Sequence, residues 1–174
     1  MRAKTLKKAF FDRNSFLVAQ ELIGCSLCRK FSDQTTFKST ISEIEVYDGF
    51  NDKASHAFKG RTRRNSVMYG PAGRFYLYLC YGKHWMLNIS TERMDYPAAI
   101  LIRALSNCEG PGRLTKMLSI DGDFNNKPIG KQTGLWIEAR TKGDFNIKRS
   151  PRIGIAYAGN YWGSKAYRYS LEFL

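Results

Sequence analysis

Three stretches rich in β-formers follow one another within residues 74–105: RFYLYLCY (74–81), HWMLNIS (84–90) and AAILIRAL (98–105). Gly82 marks a turn, so the second stretch runs back as the partner of the first. The third reads as a buried strand interrupted by one charge, Arg103. Strands adjacent in sequence, with few helices between them, call for an α+β domain on a largely antiparallel sheet.

The rest of the chain fits that frame. NSFLVAQELIG (14–24) reads as a helix capped by Asn14 and ended by Gly24, with Phe16, Leu17, Ala19, Leu22 and Ile23 on its apolar side. CSLCRKF and FKSTISEIEVY read as strands. In the second, a period of two puts Ile44 and Val46 on one face and Glu43, Glu45 and Tyr47 on the other. Residues 48–65 form a polar loop ending in the basic run KGRTRRN, and EGPGRLTKML (109–118) is a glycine turn opening a helix. Residues 121–133 are turn-rich and 142–152 form another loop. GLWIEAR, RIGIAYAG and AYRYSLEF supply the late strands. No repeat, low-complexity segment or linker interrupts the chain.

Charge narrows the partner. The formal net charge is +13, from 28 Lys and Arg against 15 Asp and Glu. Such an excess points to a polyanion, nucleic acid first. No long apolar run and no Lys/Arg-rich amphipathic helix points to a membrane. The start, MRAKTLKKAFFDR, lacks an apolar signal core, which argues against secretion. Cys25 and Cys28 form a CxxC, but no second pair follows and His56 and His84 lie far off, so these thiols read as small core residues. The chain is read as intracellular, with no metal and no cofactor.

Glu43 and Glu45 stand two residues apart on a strand, about 6.5 Å. That is close to the carboxylate gap of inverting glycosidases, ~6.5–9.5 Å. A solvated strand face with two acids is the simpler reading of the spacing. Arg103 bears on the choice. Inside an apolar strand its guanidinium needs a carboxylate, because a lone buried charge costs several kcal/mol. Glu45 is the expected partner, and the pair could hold and polarise a water; a purely structural ion pair stands beside that reading. Tyr47, Tyr76, Tyr78 and Tyr81, set against Lys59, Arg61, Arg63 and Arg64, are the ingredients of a nucleic-acid surface with base stacking, with Tyr76 read as core. GPGR (110–113) can offer N–H groups to a phosphate but lacks the ending of a P-loop.

Taken in order, E-I-E-V-Y, S-H, R-R-N, M-Y-G-P-A-G, Y-L-Y-L-C-Y-G, L-N-I-S, L-I-R-A-L, G-P-G-R-L and P-R-I-G-I closely resemble one family, the alkyladenine (3-methyladenine/3-methylpurine) DNA glycosylases. The match runs from about Phe10 to the C-terminus. It implies one domain, residues 1–174, with 1–9 a flexible basic N-terminus. The fold implied is a curved mixed sheet with a few peripheral helices and a protruding β-hairpin that inserts into DNA.

The activity implied is that of a monofunctional base-excision enzyme. Acting as a monomer on double-stranded DNA, it flips out a damaged purine and hydrolyses its N-glycosidic bond. By the same resemblance, Glu45 is the general base, Arg103 helps hold the water, and the backbone carbonyl of Ile153 is a third contact. Arg103 is expected to keep the pKa of Glu45 low. Tyr47, His56 and Tyr78 line the base pocket, the His56 N–H reads the purine edge, and Asn88 crowds the exocyclic amine of a normal guanine. Met68 and Leu101 lie near the pocket or the displaced stack. Tyr81 wedges into the duplex, and Arg61, Arg63, Arg64, Lys83 and Arg113 meet its backbone. The compartment implied is the cytoplasm or nucleoid of a bacterium, or the nucleus of a eukaryote.

Two departures lie on the DNA-facing rim and leave the Glu45–Arg103 pair untouched. The loop after His56 is one residue shorter than the family pattern, and Lys83-His84 stand where apolar or aromatic residues are expected. Two other readings of the residues are a nucleic-acid-binding module without catalysis and an inverting carbohydrate hydrolase using Glu43 and Glu45.

Overall fold

The computed structural model describes residues 3–140 and 145–173. In chain order the elements are α1 (Lys8–Phe11), α2 (Ser15–Leu22), β1 (Ser26–Lys30), β2 (Thr36–Asp48), β3 (Phe75–Cys80), β4 (His84–Ser90), β5 (Ala98–Leu105), β6 (Cys108–Glu109), α3 (Pro111–Met117), β7 (Leu135–Glu138), β8 (Phe145–Ser150), α4 (Gly159–Gly163) and β9 (Arg168–Phe173). Short 3-10 turns link several of them. The nine strands form one sheet, and the path β3-β4-β5-β2-β1-β7 runs through it. All strand pairings among the described residues are antiparallel. None of the described helices is long and apolar enough to cross a membrane.

Strand β2 organises the molecule. Its first half pairs with β1, and its second half lies between β5 and β9. Alternation along the strands then sorts the two faces. Ile44 and Val46 of β2, Phe75 and Leu77 of β3, Leu87 and Ile89 of β4, and Ile100 and Ile102 of β5 join one apolar core with Val18, Ala19 and Leu22 of α2 and Leu114 of α3. The alternate residues, among them Glu45, Tyr47, Tyr76, Tyr78, Asn88 and Ala99, face the other way. There no long helix among the described residues covers the sheet. Two small apolar clusters do so, one around Met68 and Tyr69, the other around Ala54, Ile155 and Ala158.

Several local expectations are corrected. On α2 the buried residues are Ser15, Val18, Ala19 and Leu22, whereas Leu17 is 52% exposed. The spacing i, i+3, i+4, i+7 defines the face, and Leu17 falls outside it. Residues 145–150, read as part of a loop, form β8 on β9. Asn146, Lys148 and Arg149 are exposed there, and such an edge strand carries little apolar periodicity. RIGIAYAG is no strand. Gly154 takes φ +76° and turns the chain into a 3-10 turn at Ala156–Ala158 and then α4. The N-terminal stretch is tied down from Thr5 onward. Thr5 bridges to Glu138, Leu6 N–H donates to Ile137 O at 2.8 Å, and Leu6 is buried.

The cap of α2 is present: Asn14 Oδ1 accepts from the N–H groups of Phe16 (3.1 Å) and Leu17 (3.4 Å). Asn14→Ala is therefore expected to cost about 1 kcal/mol, lowering Tm by about 3 °C in a thermal melt. An unchanged Tm would show that these bonds add nothing to the helix end.

Candidate active site

Register across four strands builds the site. Glu45 of β2 pairs with Leu101 of β5, Leu101 with Asn88 of β4, and Asn88 with Tyr76 of β3. Tyr47 pairs with Ala99, and Tyr78 with Met86. Paired residues of antiparallel strands project to the same face. The loop-covered face therefore collects a carboxylate, an amide, a small residue and three tyrosines in adjacent rows.

The ladder between β2 and β5 is irregular where it matters. Ile41 pairs with Leu105, Glu43 with Ala104 and Ile44 with Ile102, so Ser42 and Arg103 are left without a Cα partner. Such bulges re-aim side chains. Here the irregularity brings Arg103 between two carboxylates. Its Nε donates to Glu43 Oε1 at 2.8 Å and lies 3.5 Å from Glu45 Oε1. Glu43 Oε2 also accepts from Arg168 at 3.2 Å. The expected Arg103–Glu45 pair is present, but Glu43 is the closer partner. Both oxygens of Glu43 are engaged by guanidinium groups, and neither Glu43 nor Glu45 is a wall of the tyrosine-lined cavity, which Glu45 reaches only through the Tyr47 hydroxyl. The two acids thus do not flank one cavity, and the carbohydrate-hydrolase reading loses its geometric basis.

Glu45 is fully buried. Its Oε1 accepts the Ile153 N–H at 2.7 Å and its Oε2 the Tyr47 hydroxyl at 2.8 Å. Residue 153 thus meets Glu45 through its amide N–H. Burial pushes the carboxyl pKa up, against Arg103, the Ile153 amide, the Tyr47 hydroxyl and Arg152, which pull it down. The expectation that Arg103 keeps the pKa low is corrected, because desolvation of a group with no exposed surface outweighs one guanidinium at 3.5 Å. Tyr47 is likewise pushed up, by burial and then by Glu45.

A small cavity opens beside Tyr47, whose hydroxyl bonds Glu45. Asn88 and Ala99 form its floor, and Tyr47, His56, Met68, Tyr76, Tyr78, Ala54 and Tyr157 its walls. Tyr76 is buried as expected, yet it lines the cavity, and its hydroxyl bonds His56 Nδ1 at 2.9 Å. The His56 ring meets Tyr78 edge-on at 4.5 Å. Desolvation and then the charge of Arg64 push the His56 pKa down, which favours the neutral ring. Asn65 donates to His56 O at 2.9 Å and fixes that backbone. Asn88 donates to Tyr76 O and Met86 O, so its Oδ1 is the atom left for an occupant. Leu101 is buried between Glu45 and Asn88 and is not one of the walls.

The residues expected to meet DNA lie on several segments. Tyr81 is 92% exposed at the hairpin tip. Tyr81 and Gly82 take φ +50° and +66°, positive at both central positions as in a type I′ turn, and Lys83 N–H closes on Cys80 O at 3.1 Å. A tyrosine pays about 1–2 kcal/mol for that backbone. Arg64 lies 5.3 Å from the Tyr78 ring, while Arg61 lies 5.3 Å from Tyr69 and pairs with Asp95. Arg63 and Lys83 are exposed and form no ion pair among the described residues. Arg113 is exposed on α3, edging a groove shared with His84, Met86 and Lys116.

Sequence reasoning missed Asp52, Arg152, Tyr157 and Asn65. Arg152 and Asp52 are fully buried and paired, with Arg152 Nη2 2.8 Å from Asp52 Oδ1. Tyr157 donates to Ala54 O at 3.0 Å. The available signal was PRIG itself, an arginine followed by an apolar residue and a glycine, but nothing local names a partner 100 residues away.

The sequence also matches known proteins along nearly its whole length. A relative from Legionella pneumophila (strain Corby) is 35% identical over 176 residues, covering 97% of this chain and 95% of its own. One from Wolbachia pipientis wMel is 38% identical over 178 residues, with the same shares. One from Chlorobium phaeobacteroides is 40% identical over 141 residues, 70% of this chain and 72% of its own. The names of all three carry the words 3-methyladenine DNA glycosylase. The family model described as Methylpurine-DNA glycosylase (MPG) matches residues 9–108 and 106–172. With a tyrosine-walled cavity beside a buried carboxylate and these matches end to end, the chain belongs to the methylpurine-DNA glycosylase family.

Proposed function

We propose that the chain excises alkylated purines from double-stranded DNA as a monomeric, monofunctional glycosylase, with Glu45 as the base that activates water. The observation that carries this reading is the placement of Glu45, fully buried yet adjacent to the cavity through Tyr47. A carboxylate offers about four lone-pair sites. The Ile153 amide and the Tyr47 hydroxyl use one each, which leaves capacity for a water.

The chemistry asks little of the base itself. A 3-alkylated purine is cationic, so it leaves as a neutral base when the N-glycosidic bond breaks and its electron pair moves to the ring. The sugar passes through an oxocarbenium-like state, takes the hydroxyl of the water, and Glu45 accepts the proton. Tyr47 and Tyr78 offer aromatic faces to a cation, worth about 0.5–2 kcal/mol per contact. Asn88 on the floor is suited to discriminate against an extra exocyclic amine. Tyr81 fills the gap left in the stack, and Arg63, Arg64, Lys83, Arg113 and Arg61 contact phosphates. The net charge of +13 supports binding dominated by the DNA backbone.

Three outcomes follow. Glu45→Gln lowers single-turnover release of free base from methylated duplex DNA by about 10²–10⁴-fold while duplex binding persists; undiminished release would end the assignment. The wild-type rate rises with pH through the elevated pKa of Glu45 and then levels off, because only the anion accepts a proton. A rate that rises as pH falls would contradict a carboxylate base. Tyr81→Ala slows excision from duplex by about 10–100-fold but not from single strands, where no stack needs filling; equal losses on both would remove the wedge role.

A further inference from the structure

Among the described residues, Asp52–Arg152 is the one ion pair in which both side chains are fully buried. Arg152 forks onto both oxygens of Asp52, and its Nη1 also donates to Val46 O at 2.9 Å. Asp52 in turn accepts the Ala54 N–H at 3.0 Å and faces the Asp48 N–H at 3.4 Å. The pair thus clamps the loop after β2 and the segment after β8 to β2 itself. A buried pair of this kind is a weak source of stability, since well-packed apolar residues often serve as well. Its surroundings suggest another use. The Arg152 guanidinium lies 4.7 Å from the Tyr47 ring centroid and 5.1 Å from that of Tyr167. Arg152 is not a wall of the cavity, whereas Tyr47 is. The next residue in the chain is Ile153, whose N–H holds Glu45 at 2.7 Å.

We propose that Arg152, fixed by Asp52, is a positioning residue for base excision: it seats the Ile153 amide on Glu45 and orients Tyr47 between Glu45 and the cavity, keeping a fully buried carboxylate anionic and aimed. This rests on the glycosylase reading. The groups facing Glu45 are Arg103 of β5, Glu43 and Tyr47 of its own strand, Arg168 of β9, Tyr78 of β3, Tyr157 of the 3-10 turn and Arg152. Desolvation works against the anion, and the groups that favour it are Arg103, the Ile153 amide, the Tyr47 hydroxyl and Arg152. Of these four, Arg103 alone is independent of Arg152. The amide is its chain neighbour, and the hydroxyl belongs to the ring it stacks on.

The test compares wild type with Arg152→Met, Arg152→Lys and the double variant Asp52→Asn/Arg152→Met. The readouts are single-turnover release of free base from methylated duplex DNA between pH 5 and 9, Tm, and the titration midpoint of the Glu45 carboxyl followed by NMR in the free protein. Arg152→Met is expected to slow release at neutral pH by about 100-fold and to move the acid limb to higher pH. Arg152→Lys keeps the charge and loses the fork, so it recovers part of both. The double variant removes both buried charges and regains Tm, but the rate stays low and the Glu45 midpoint stays high. A rate that returns with Tm, or a Glu45 midpoint at the wild-type value in the double variant, would overturn the positioning role. The midpoint decides this whether or not any base is released. Failure of the wild-type protein to release base would instead count against the glycosylase reading.

Discussion

A carboxylate with no exposed surface has to be compensated by the protein around it, and Glu45 sets that requirement for the whole site. Burial alone would favour its neutral form. The Ile153 amide, the Tyr47 hydroxyl and the Arg103 guanidinium answer from three separate segments. Each of these segments must be held in turn. The two ladder irregularities at Ser42 and Arg103 aim the guanidinium, and the Asp52–Arg152 clamp seats the amide.

The sheet's two faces divide the labour. On one, α2 and α3 pack on a continuous apolar core, which supplies the burial that stabilises a domain of this size. On the other, short loops and 3-10 turns cover only part of the sheet, and the uncovered part is the cavity. Ala99 and Asn88 leave its floor open, while the tyrosines supply broad flat walls.

Much of this was legible in the sequence. The hairpin, the cap on α2 and the common face of Glu45 and Tyr47 followed from turn chemistry, capping residues and a period of two. Arg103 inside an apolar run called for an acid and found two. What escaped had physical reasons. The β8 strand lies at an edge and exposes polar side chains, so it carries little periodic signal. Gly154 turned an apolar stretch that looked like a strand. Asp52 sits in a polar loop, indistinguishable locally from a solvated acid, and only the fold brings Arg152 to it. The sign of the Glu45 shift depended on how completely the carboxylate was covered, and coverage is a property of the assembled loops.

The loop-borne cover of the cavity has a consequence for divergence. Walls such as His56, Met68 and Tyr157 belong to segments outside the strands, while Asn88, Ala99 and Glu45 belong to the strands themselves. Insertions, deletions and substitutions in those segments can reshape the aperture without repacking the helical side. A lineage on this scaffold is free to reshape the mouth of the cavity while the strand residues beneath it, Glu45 among them, stay put.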